Sequence, residues 1–183
     1  TAGFGLDAAM IAGASPQAKR RFGVGAYVAS AARALPAMQV FRVRAEVDGE
    51  RVELDAALAM VANVGSVMDG RFGLGPGISP ADAQLDLCVL TARGLGDGLG
   101  LAWRMFRRDF RADARMHFRR GRRIRIEALD AVPAQADGEL LRTSVLEATV
   151  VPAAARFLAP RATFAPVRSD PYVGASQLPL PQW

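Results

Sequence analysis

The sequence predicts a β-rich α+β domain, an antiparallel β-sandwich or partly closed barrel carrying two or three helices. Three observations predict it. Segments that alternate apolar and polar residues flank the pair Asp48-Gly49, the strongest short-range sign of a hairpin. Short apolar runs, "ALAMVANV" and "LDLCVL", have the length of buried strands rather than of helices. A further segment repeats Leu95, Leu99, Trp103, Phe106 and Phe110 at helical spacing, as an amphipathic helix does.

Taken in order, the elements begin with Ser15 and Pro16, an N-cap followed by proline at the first helical position. That helix runs to Pro36, with bends expected at Gly23 and Gly25. "VFRVRAEV" and "ERVELDA" alternate with period two and form the hairpin, and "ALAMVANV" follows as a more deeply buried strand. A Gly-rich loop, "GSVMDGRFGLGPGISPADAQ", leads into the strand "LDLCVL". In the amphipathic helix, Ala102 joins the apolar face, while Arg104, Arg107, Arg108 and Arg111 project from the other side. The expectation is an apolar face docked on the sheet and arginines facing outward. "RIRIEAL", "AVPAQA" and "SVLEATVVP" read as three more strands. One domain over residues 1–160 is expected, followed by a proline-rich tail over 161–183 that lacks periodicity.

Composition excludes several classes. With 51% hydrophobic residues the chain can bury a core, and its longest apolar run, "AALAMVANVGSV", is shorter than the ~18 residues that span a bilayer. No charged segment followed by an apolar one opens the chain, so no secretory signal is expected. The single cysteine, Cys88, lies in an apolar run and reads as a buried thiol. His117 is the sole histidine and has no Cys or Glu at ligand spacing, which argues against zinc and against a Ser-His-Asp triad.

The net charge of +5 is concentrated in ten arginines from Arg104 to Arg125. Such a cluster suits an anionic partner: a phosphate, a nucleic acid or an acidic membrane surface. A solvated helix face beside a basic strand edge accounts for it equally. Nucleic acid is not expected, because the nearby aromatics sit at core spacing rather than on a stacking surface.

The triplet Asp-Gly-Glu occurs twice, as Asp48-Gly49-Glu50 and as Asp137-Gly138-Glu139. Alternating strands flank the first, which reads as a structural turn. The second belongs to an ordered series: "FGLDAAMI", "KRRFGVGAYVASAARAL", "VANV" with its Gly-rich loop, "GISPADAQLDLCVL", "VPAQADGELL" and "TVVPAAARFLAP". In that order these segments resemble the C-terminal domain of diacylglycerol kinase-like lipid kinases, a family related to sphingosine and ceramide kinases.

The resemblance implies the substrate-side half of a two-domain kinase. In that family an N-terminal domain binds ATP through a Gly-Gly-Asp-Gly-Thr loop, which this sequence lacks. The chain is therefore expected to be cut from a longer polypeptide and to be inactive alone. The implied reaction moves the γ-phosphate of ATP, with Mg2+, to a lipid hydroxyl, diacylglycerol by default. Glu139 is the implied general base, supported by Asp137. Asp7 matches an aspartate found near the cleft in relatives, where it can contact the lipid head or the nucleotide, and Asn63 matches the asparagine ahead of the Gly-rich loop; the resemblance implies both as cofactor-binding residues. Ser79, Asp82 and Gln84 match a magnesium loop of one carboxylate, two backbone carbonyls and waters. This sequence departs from that loop at Ala83, usually Gly, and at Met68-Asp69-Gly70, often three glycines.

Such an enzyme is expected in the cytoplasm, peripheral at the inner face of the membrane, with the Arg-rich helix attracted to anionic lipid. Its partners would be the lipid substrate and the ATP-binding domain. Neither the identity of the lipid nor the oligomeric state can be read from the residues. Two other readings stay open: a non-catalytic module for lipid or another anionic ligand on the same scaffold, and a NAD kinase-like enzyme.

Overall fold

The computed structural model describes residues 1–6, 8–9, 38–67 and 70–155. The helix expected over residues 15–36, Asp7 and the proline-rich tail lie outside the described residues.

Among the described residues twelve strands and one helix are defined: β1 (Ala2–Gly5), β2 (Phe41–Val47), β3 (Glu50–Ala56), β4 (Leu58–Ala62), β5 (Ser66–Val67), β6 (Phe72–Gly73), β7 (Leu85–Leu90), α1 (Leu95–Arg107), β8 (Met116–Gly121), β9 (Arg123–Ala128), β10 (Ala134–Ala136), β11 (Glu139–Leu141) and β12 (Val145–Thr149). They build a six-stranded sheet ordered β11-β10-β1-β4-β7-β8, a four-stranded sheet ordered β12-β9-β2-β3, and a small β5-β6 ribbon. The pairings are antiparallel. Two open sheets face each other, so the architecture is a sandwich, not a barrel.

Two cores lie on opposite faces of the larger sheet. Between the sheets, Phe4, Val61 and Leu87 pack with Phe41, Val43, Ile124 and Ile126. Behind it, Leu58, Met60, Cys88, Leu90 and Met116 pack with Leu101 of α1. β4 and β7 are buried on both faces, which explains their continuous apolar runs. β2 is covered on one face only, so buried Phe41, Val43 and Ala45 alternate with exposed Arg42 and Arg44.

One expectation is overturned at α1. Its buried positions are Gly98 and Leu101, with Met105 packed beside them, whereas Leu95, Leu99, Trp103 and Phe106 are 50, 59, 61 and 46% exposed. The apolar stripe faces outward. Arg104 turns inward instead: its guanidinium donates to Asp113 Oδ2 at 2.5 Å and to the carbonyls of Asp109 and Arg111. The helix ends at Arg108, which adopts a left-handed conformation with φ 53°, and Arg104 ties the following connector back to the last turn. A half-buried guanidinium thereby satisfies a carboxylate and two carbonyls of the connector that follows the helix. Phe110 falls beyond the helix and meets Phe118 edge-on at 5.8 Å.

Candidate functional site

Sheet register decides which sequence motifs meet. Across the six-stranded sheet Ala136 pairs with Ala2, Ala2 with Val61, and Val61 with Leu87. One residue further along, Asp137 donates its backbone N–H to the Thr1 carbonyl at 2.8 Å, Ala62 pairs with Asp86, and Asp86 with Arg120. The Asp137-Gly138-Glu139 turn, Asn63 just after β4, and the Asp82 loop just before β7 therefore share one end of this sheet. They do not touch. Asp137 and Asp86 stand on strands three spacings apart, about 14 Å, too far to share one ion.

The turn between β10 and β11 has Asp137 at φ 46° and Gly138 at φ 90°, the paired positive angles of a type I′ hairpin. Beneath it, buried Gln135 accepts the Gly138 N–H through Oε1 at 3.1 Å. The Asp137 side chain is 87% exposed, with Oδ1 2.5 Å from the Thr1 nitrogen. Glu139 is exposed and forms no ion pair among the described residues. Both carboxylates are thus presented to solvent from a rigid turn.

The first triplet has almost the same backbone, with Asp48 at φ 50° and Gly49 at φ 95°. Its carboxylate, however, is used by the fold. Asp48 Oδ1 accepts the Arg123 N–H at 2.8 Å, and both oxygens accept the Arg122 N–H at 3.0 and 3.1 Å. Asp48 thereby ties the β2-β3 turn to the β8-β9 turn, as the structural reading expected.

In the Asp82 loop, Ser79 Oγ accepts the Ala81 N–H at 3.3 Å, and Asp82 Oδ1 accepts the Gln84 N–H at 3.0 Å. Ala83 between them adopts φ 58°. The left-handed conformation that glycine would take is retained with alanine, at a cost of roughly 1–2 kcal/mol. Arg120 bonds Asp86 Oδ1 at 2.9 Å and the Gly77 carbonyl at 2.8 Å, with Asp82 Oδ2 4.0 Å away. Burial pushes the Asp86 carboxyl above its ordinary range, Arg120 opposes the shift, and the Asp82 charge adds to it. Asp86 Oδ2 is buried without a hydrogen-bond partner. Asp86, at the start of β7, thus leaves one unsatisfied carboxylate oxygen beside the loop, in a group of oxygens that would suit a hard cation and that the Arg120 guanidinium now serves.

Asn63 is exposed, and Asp7 lies outside the described residues. No cluster of three or more His, Cys, Asp or Glu side chains that could hold a metal occurs among the described residues. His117 sits on β8 opposite Val89, and burial lowers its pKa. Cys88 is buried, as expected. Sequence reasoning passed over Asp86 and Arg120. A lone Asp inside the apolar run "LDLCVL" is the signal that could have found the first, but its arginine partner depends on the β7-β8 register.

Residues 1–159 match the family described as the YegS C-terminal NAD kinase beta sandwich-like domain. The chain belongs to this family. Two solved structures share its fold, each of a candidate diacylglycerol kinase from Bacillus anthracis str. Sterne. One is 23% identical with a TM-score of 0.58, over 81% of this chain and 46% of the other. The second is 22% identical with a TM-score of 0.60, over 82% and 49%. The chain therefore spans about half the length of these relatives. No curated protein matches it.

Proposed function

We propose that this β-sandwich is the substrate-side domain of an ATP-dependent lipid kinase that phosphorylates a lipid hydroxyl, diacylglycerol in the first instance. The observation that carries the reading is the presentation of Asp137 and Glu139 from a type I′ turn at the sheet end that also holds Asn63 and the Asp82 loop. A phosphoryl acceptor needs a positioned group to take its proton and little other covalent chemistry. Glu139 takes that proton and Asp137 orients the acceptor hydroxyl. Ser79, Asp82 and Gln84 would hold Mg2+, which at this distance from Glu139 fixes the loop rather than the base. ATP is bound by a second domain, and Asp7 and Asn63 are assigned to it only through the family resemblance. The working enzyme is cytoplasmic and peripheral to the membrane.

Transfer of labelled γ-phosphate from ATP to diacylglycerol in mixed micelles tests the reading. The expected result is transfer by the polypeptide that joins this chain to an ATP-binding domain, none by the chain alone, and none after Glu139→Ala. Full activity of the Glu139→Ala enzyme would remove the base assignment. Absence of transfer to any lipid alcohol would remove the kinase reading.

A further inference from the structure

Four of the ten exposed large apolar side chains among the described residues lie on α1. Leu95, Leu99, Trp103 and Phe106 follow one another at spacings of four, four and three, which aligns them on one face of a helix. The stripe is about 16 Å long at 1.5 Å per residue. Trp103 and Phe106 stack at 5.7 Å, and Phe106 meets Phe72 of β6 at 5.6 Å, so the apolar surface continues onto the β5-β6 ribbon.

The charges beside this ridge are unlike those behind it. Arg104, Arg111 and Arg115 are neutralised by Asp97, Asp109 and Asp113. Arg71, Arg107 and Arg108 have no carboxylate within ion-pair distance among the described residues, and all three flank the aromatic end. Arg107 lies over the Trp103 ring, 5.9 Å from its centroid; Arg108 donates to the Gly70 carbonyl; Arg71 adjoins Phe72.

We infer that the apolar ridge of α1, with its flanking arginines, is a docking surface for an anionic lipid bilayer, which the helix meets lying flat. No helix among the described residues is long and apolar enough to cross a membrane, so contact is interfacial. Leucines and phenylalanine enter the acyl boundary, tryptophan sits at the headgroup level, and these arginines meet lipid phosphates. The aliphatic half of the ridge, Leu95 and Leu99, favours acyl chains over nucleic-acid bases, which stack on aromatic faces. The sequence argument that these aromatics are core residues fails, since they are exposed. The surface differs from the sequence expectation: the apolar face, rather than the arginine face, leads. The inference rests on the lipid-kinase reading for its biological context, but vesicle binding needs no ATP, so the two fail separately.

The test uses vesicles of phosphatidylglycerol mixed with phosphatidylcholine. The chain has two tryptophans, so a Trp183→Phe variant leaves Trp103 as the reporter. Its emission should shift to the blue with anionic vesicles and not with pure phosphatidylcholine. Co-sedimentation should fall about tenfold or more in a Leu99→Ser, Trp103→Ser variant and severalfold for Arg71→Gln with Arg107→Gln, and weaken in about 1 M salt. Arg51→Gln, on the opposite sheet, should change nothing. Circular dichroism confirms that each variant is folded. Unshifted Trp103 emission, or equal binding by the ridge variant, overturns the inference. So does tighter quenching by a single-stranded oligonucleotide, or a dimer that the ridge variant dissolves while vesicle binding is absent.

Discussion

The two Asp-Gly-Glu turns have nearly superimposable backbone angles and opposite uses. At Asp48 the carboxylate folds onto the neighbouring β8-β9 turn and receives the N–H groups of Arg122 and Arg123. Gly121 lies so close that an added Cβ would stand 2.7 Å from Asp48 Oδ2 and 2.5 Å from Val47. At Asp137 the carboxylate is 87% exposed, and an added Cβ at Gly138 would meet nothing within 4 Å. The same local turn chemistry thus serves closure in one place and presentation in the other. What separates them is the neighbour that the sheet supplies. A second turn abuts Asp48, whereas the end of the six-stranded sheet lies open around Asp137.

The largest expected break in this comparison is catalytic. In the complete enzyme Glu139→Ala should lower lipid phosphorylation by about 10²–10⁴, the usual range for a general base, while unfolding stability stays unchanged. Glu50→Ala, at the matching position of the first turn, should leave the rate unchanged. Equal rates for both variants would place the proton acceptor elsewhere. Stability should show the reverse asymmetry. Asp48→Ala removes the acceptor of two backbone N–H groups and should cost about 2 kcal/mol in urea denaturation. Asp137→Ala should cost about 1 kcal/mol less. Both variants lose aspartate's tolerance of positive φ, so the difference compares the backbone N–H bonds of Asp48 with the single contact of Asp137 to the Thr1 nitrogen.

How much of this was legible follows from how local each signal is. The β2-β3 hairpin is written in Asp48-Gly49 and its alternating flanks, and β4 and β7 in their apolar runs. β1 escaped because Ala2–Gly5 is only four residues with two glycines, yet it is the strand that joins β10 to β4 and sets the site's end of the sheet. The helix α1 was legible as an element, but its facing was not. Periodicity marks a stripe without saying whether the stripe meets the sheet. Arg104 is held inward by Asp109 and Asp113, and Leu101 with Met105 joins the core behind the larger sheet. Both facts belong to the tertiary structure. The Asp82 loop was recognisable from its turn residues, and Ala83 keeps the positive φ despite its methyl group. The Asp86-Arg120 pair, in contrast, needed the register.

A smaller effect tests whether the turns are as alike as their angles. Gly49 and Gly138 both have φ near +90° and open space at the Cβ position. Alanine at either site should therefore cost about 1 kcal/mol through backbone strain alone. Matched losses, read from thermal or urea midpoints, would show that the backbones are equivalent and that only the carboxylates differ. A markedly larger loss at Gly49 would instead mean that closure against the β8-β9 turn depends on backbone fit.

The finest distinction concerns Asp86, which is buried where Asp48 is exposed, yet lies at the sheet end of Asp137. Burial raises its folded-state pKa, more than Arg120 lowers it. The sign is then fixed: folded protein binds the proton more tightly than unfolded protein does, so acidification from neutral pH through the folded value adds stability. The aspartates around α1 act oppositely. Hydrogen bonds from Arg115 and Arg111 hold Asp113 and Asp109 far below the ordinary range, so their contribution is present above about pH 4 and is lost as pH falls further. Between neutrality and about pH 4, therefore, Asp86 alone of these groups should titrate. Urea midpoints of the wild type and of Asp86→Asn, compared over that window, should move in favour of the wild type as pH falls. A constant difference would mean that Arg120 fully compensates the burial of Asp86, and the unsatisfied Oδ2 would then carry no excess charge for a cation to relieve.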